Sequence, residues 1–144
     1  MLRSLIAAAA VTVCATVAFA ETDVVSHRIE LMKNAGDATK PVADMLKGAA
    51  PFDIEKVKAA LASYEKAAKE YPSLYPENSK EGKDTTASPK IWENKADFDA
   101  KLAAWGKASA DASAKITDEA SFKSEIKTVL GACKGCHDDY RIKK

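Results

Sequence analysis

The sequence predicts an all-α protein, an antiparallel four-helix bundle, on three observations. Ala, Lys and Glu are abundant and β-branched runs are few, so good helix formers dominate. Apolar residues recur three and four apart in four stretches, and no two-residue alternation runs long enough to make a convincing strand. The connections between those stretches are short or moderate, which sets consecutive helices side by side and antiparallel.

The first helix is expected over about Asp23 to Gly48, with Val25, Ile29, Met32, Val42 and Met45 as its apolar positions and Gly48 as its stop. Pro41, lacking an N–H, is expected to kink or split it. The second helix begins after Pro51-Phe52 with Asp53 as N-cap, because Val57, Leu61 and Tyr64 recur at helical spacing, and Pro72 ends it. Residues 72–88, PSLYPENSKEGKDTTAS, hold two Pro, one Gly and many small polar side chains, and so predict a surface loop in place of a packed element. A third helix opens at Ser88-Pro89, with Ser as cap and Pro in the first turn, and runs through Ile91, Trp92, Phe98, Leu102 and Trp105. The fourth starts near Thr117 or Asp118 and carries Phe122, Ile126, Val129 and Leu130 up to the cysteines. Trp92, Phe98 and Trp105 stand at near-helical spacing and read as core fillers ahead of an electron path or a partner-binding stripe.

Ahead of this bundle, residues 1–20 combine an early Arg3, a run of Leu, Ile, Ala and Val, and an Ala18-Phe19-Ala20 ending before polar Glu21-Thr22-Asp23. That is the pattern of a cleaved secretory leader, short for a membrane span and without stop-transfer charges. Cys14 belongs to the apolar run and is expected to leave with it. Residues 21–144 then form one domain with no membrane association, carrying two cysteines and 21 Lys plus Arg against 21 Asp plus Glu. A chain so nearly neutral excludes nucleic acid as the natural partner, and its lysines read first as solvated helix faces.

The chemistry concentrates at Cys133-Lys134-Gly135-Cys136-His137, the C-x-x-C-H signature in which two thiols form thioethers to the haem vinyls and the adjacent His ligates iron. On a helix Cys133 and His137 share a face, and Cys136 lies about 100° round from His137, so a porphyrin can lie along the flank. A disulfide or redox-active dithiol is the competing reading for an exported chain. A thioredoxin-like dithiol belongs at a helix start in an α/β fold, whereas this motif closes an all-α chain. A zinc site needs four ligands, and His27 is the one His or Cys left.

With the segment HRIELMKNAG, the Pro-Lys-Ile-Trp opening of the third helix and the ending CKGCHDDYR, the chain resembles the class II cytochromes c, the cytochrome c′ family, over essentially residues 21–144. The resemblance implies one covalently attached haem c per chain near one end of a four-helix bundle, His137 as proximal iron ligand and, in many members, a homodimer. It also implies a basic residue one turn past the ligand. Arg141 stands there and, with Arg28, is a candidate for contact with the haem propionates or pocket; a solvated residue near a helix end is the other reading of Arg141.

The sixth iron position decides the function. In an up-down-up-down bundle the N-terminal half of the first helix lies beside the haem-bearing end of the fourth, which puts Met32 there and Met45 about 20 Å away along the axis. His27 is rotated about 140° from Met32 and is expected to face solvent. By resemblance, the position four after Arg28 is the family's distal site: low-spin members ligate iron with Met, and high-spin members leave it five-coordinate and open to nitric oxide. Met32 is therefore either the distal ligand or a core side chain packed over the haem. The leading expectation is a non-enzymatic periplasmic electron carrier serving redox-partner proteins, and the alternative is a five-coordinate gas binder. No Ser/His/Asp grouping or Gly-rich phosphate loop points to catalysis.

Overall fold

The computed structural model describes residues 15–82 and 84–143, with side chains from residue 24 onward. The predicted leader over residues 1–20 lies outside the residues whose side chains are described. Five α-helices follow in order: α1 Ala15–Leu46, α2 Ile54–Glu70, α3 Lys90–Glu93, α4 Lys95–Lys115 and α5 Glu119–Tyr140. The fold is the expected antiparallel four-helix bundle, with α3 a single added turn. Among the described residues no helix is long and apolar enough to cross a membrane.

The first helix is longer than its apolar pattern implied, and it passes through Pro41 unsplit. A proline costs one backbone bond and crowds the carbonyl four residues back. Here Asp37 and Lys40 beside it are exposed, where water can take the orphaned carbonyl, while Val42 and Met45 directly beyond are buried and hold the helix on course. The helix ends at Leu46, and Gly48 follows at φ 74, the left-handed conformation that closes helices.

The cap predicted at Asp53 is present: its carboxylate accepts from the amides of Glu55 and Lys56. Asp118 caps α5 in a reciprocal capping box with Ser121. The predicted third helix is interrupted. Ser88 Oγ does accept from Lys90 N–H, but the turn stops at Glu93, and Asn94 leaves helical geometry to cap a new helix by accepting from Asp97 N–H.

In the bundle α1 packs on α2, α2 on α4 and α4 on α5, whereas α1 and α5 share no extended interface. Val57, Leu61, Phe122, Ile126 and Val129 are fully buried between the helices, each contributing about 1.5–3 kcal/mol of burial. Tyr64 and Trp105 stack across α2 and α4 at 5.5 Å. The two helices run close: a Cβ built on Gly106 would stand 3.0 Å from the Ala68 Cβ. Phe98 and Trp105 are buried as expected, while Trp92 is only half-buried and sends its indole N–H to Pro76 C=O at 3.0 Å.

The expectation of a plain surface loop over 72–88 is corrected. Tyr71–Leu74 and Glu77–Ser79 form short 3-10 turns, and Leu74, Tyr75 and Ser79 are buried. Ser79, with no apolar surface to hide, is fully buried because its polar atoms bond to Arg28 and Pro76.

Candidate functional site

Where α1 and α5 diverge, the fold leaves a cavity of about 800 Å³. Each wall comes from one helix face. From α5 come Cys133, Cys136 and His137, and from α1 come Arg28, Met32 and Thr39. The helical repeat explains both sets, since residues three, four and seven apart lie on one side of a helix. The floor is aromatic: Tyr64 and Tyr71 from the α2 side, Phe98 and Trp105 from α4. From sequence the last two read as general core and Tyr64 as an apolar position of the second helix; the signal for a shared floor is that Tyr64 and Tyr71, like Phe98 and Trp105, stand seven residues apart.

All six residues singled out from sequence meet at this cavity: Cys133, Cys136, His137, Met32, Arg28 and Arg141. Met45 lies elsewhere, buried, with its sulfur accepting Asp53 N–H at 3.2 Å. His27 is half-exposed and pairs with Glu70 at 3.3 Å, away from the cavity.

Both thiols are free and half-buried. Burial pushes each of them above the ordinary thiol range, so they are held as neutral SH groups. The Cys133 thiol points back along its helix to Val129 C=O at 3.5 Å. Burial, reinforced by the charge of Arg141, lowers the His137 pKa and keeps the imidazole neutral, the form that binds a metal. Among the described residues no three of His, Cys, Asp and Glu gather as they would for a metal ion.

Arg28 is 2% exposed. Its Nη1 donates to Leu74 C=O and Ser79 Oγ, both at 3.2 Å, and its Nη2 to Ser79 C=O at 2.8 Å and Thr85 Oγ1 at 3.4 Å. The guanidinium lies over the Tyr75 ring at 4.7 Å. Among the described residues, Arg28 Nε–H and the Trp105 indole N–H are the buried side-chain donors left without a protein partner, and both residues border the cavity.

These features fit a haem. The volume lies within the roughly 300–1,000 Å³ of cofactor sites, and the walls are mainly apolar and aromatic. Two free thiols and a neutral imidazole stand at attachment spacing on one wall.

Comparison with known proteins agrees with the site. Residues 23–141 match the family model described as Cytochrome C'. The chain is 50% identical over 127 residues to a cytochrome c′ of Rhodopseudomonas palustris, covering 88% of this chain and 87% of that one. It is 34% identical over 148 residues to a cytochrome c-556 of the same organism, covering 100% and 99%. The solved structure of a cytochrome c′ from Rhodopseudomonas palustris superposes with a TM-score of 0.83 at 50% identity, covering 85% of this chain and 98% of that one.

Proposed function

The chain belongs to the cytochrome c′ family, which carries covalently attached haem c, and from that premise we propose that it serves as a periplasmic electron carrier with His137 and Met32 as axial ligands. The observation that carries this reading is that Met32 on α1 and His137 on α5 line the same cavity. When bound, haem iron supplies a one-electron Fe(III)/Fe(II) couple. Everything else falls to the chain. Cys133 and Cys136 tether the group through thioethers. His137, neutral and fixed on a regular helix, offers a nitrogen lone pair. The Met32 thioether would hold the iron from the α1 side and would raise its potential. Tyr64, Phe98 and Trp105 keep water from the buried face. Arg28 and Arg141 offer positive charge for propionates. Export is supported by the leader-like residues 1–20, and the proposed counterparts are redox-partner proteins, with a homodimer proposed on the family likeness.

A second reading, a five-coordinate gas binder in which Met32 packs over the haem without bonding, draws on the 50% identity to a protein named cytochrome c′. Absorption spectra of the matured protein, oxidised and reduced, separate the two. A methionine-to-iron charge-transfer band at the red edge supports electron transfer; a broad high-spin spectrum that shifts with nitric oxide supports the gas binder; no haem band at all overturns both.

A further inference from the structure

The helices that carry the two axial positions, α1 and α5, share no extended interface, so their separation must be set by something other than direct packing. One segment touches both. Toward α1, Leu74 C=O, Ser79 and Thr85 hold all four terminal N–H groups of Arg28. Gly82 lies against Val25 so closely that a Cβ there would stand 3.2 Å from the valine side chain. Toward α5, Ile142 N–H donates to Thr86 C=O at 2.8 Å and Ser88 N–H donates to Tyr140 C=O at 2.9 Å, forming an isolated antiparallel bridge between Ala87 and Arg141. The two grips lie one helical turn from the axial residues: Arg28 four before Met32, Arg141 four after His137. The distal turn is fastened a second time at its backbone, because Tyr71 Oη donates at 2.7 Å to Arg28 C=O, the carbonyl that in an α-helix also receives Met32 N–H.

We propose that residues 74–82 and 84–88 act together as a strap that sets the distance between the distal and proximal walls, with Arg28 as its positioning residue, and so decides whether the Met32 sulfur stays within bonding reach of the iron. The proposal rests on the Met32 ligation read above. It accounts for a polar segment in which a serine is fully buried, and for a buried arginine that spends four donors on that segment.

The test cuts the strap at each end in the matured haem protein. Arg28→Lys removes the forked donor set and keeps the charge. Ile142→Pro removes the N–H bonded to Thr86 C=O at an exposed residue, after an Arg141 that is already extended as a pre-proline residue must be. Two quantities are read: hydrogen–deuterium exchange of the amides of residues 29–36, and the rate of carbon monoxide binding to the reduced protein. Both variants are expected to raise each by about tenfold, the scale of one buried hydrogen bond, with α2 and α4 protection unchanged. A distal turn that exchanges as in the parent when Ile142→Pro is made overturns the strap. The parent spectrum judges Met32 ligation by itself: if its charge-transfer band is absent the ligation reading fails, and faster exchange at 29–36 in both variants still supports the strap as the spacer of the walls.

Discussion

The Tyr140 phenol donates a 2.5 Å hydrogen bond to an Asp97 carboxylate oxygen, fastening the last residue of α5 to the first turn of α4. Lys101 extends the link, reaching Asp139 at 3.2 Å and Asp97 at 3.9 Å. Burial, with the bond to Asp97, pushes the Tyr140 phenol up to about 12, and burial pushes Tyr71 to about 12 as well. A phenol whose pKa is raised on folding stabilises the fold fully below its unfolded value near 10, and that stability is lost as pH rises through the folded value. Chemical denaturation should therefore give a plateau up to about pH 10 and a decline between about 10 and 12. Tyr140→Phe should cost about 1 kcal/mol at neutral pH and make the alkaline decline shallower. A decline of unchanged steepness would show that Tyr140 does not contribute to it.

Attachment chemistry divides between the two thiols. Cys133→Ala and Cys136→Ala should each leave a haem held by one thioether, seen as a shifted pyridine haemochrome band, and the double variant should lose its haem under denaturing electrophoresis. Retention of haem by the double variant under those conditions would contradict the assignment.

Met32→Ala should convert a low-spin spectrum to a high-spin one and abolish the charge-transfer band, while Met45→Leu should leave both intact, because the Met45 sulfur is engaged with Asp53 N–H far from the cavity. The reduction potential should fall in the first variant and not in the second, since a thioether ligand raises it. Equal potentials in both would remove Met32 from the coordination sphere.

Gly106→Ala tests the close approach of α2 and α4. Alanine gains up to about 1 kcal/mol in helix propensity, but its methyl would meet the Ala68 Cβ at 3.0 Å, a contact on two rigid backbones whose overpacking costs about 1–3 kcal/mol. Net destabilisation is expected. Gly131→Ala, also helical but with open space around the added methyl, should stabilise. Thermal unfolding of the pair reads the difference, and a stabilised Gly106→Ala would mean that the helices can move apart freely.

Much of this was legible in the sequence because it is local. Asp53 and Asp118 cap where short-range rules place caps, and C-x-x-C-H brings its three groups to one helix flank by spacing alone. The break at Asn94 was legible too, in an Asn whose third neighbour, Asp97, presents its amide, but the apolar rhythm from Ile91 to Trp105 ran across it. What the sequence hid is long-range. Nothing near Ser79 indicates that it is buried, since its partner Arg28 stands 51 residues away, and polar composition alone reads as exposure. The tyrosine floor was hidden for a related reason: Tyr64 and Tyr71 look like ordinary core positions until α1 and α5 diverge above them.

The cavity draws its opposite walls from the stretches around residues 28–39 and 130–141, about as far apart along the chain as the bundle allows. Contacts between α2 and α4 span far shorter chain lengths, and closure entropy favours those first. Folding in that order brings the cavity walls together last. A flat, rigid guest fastened from the α5 side would then be enclosed only when the two distant walls meet, so that the slowest contacts to form are also the ones that seal the cofactor in.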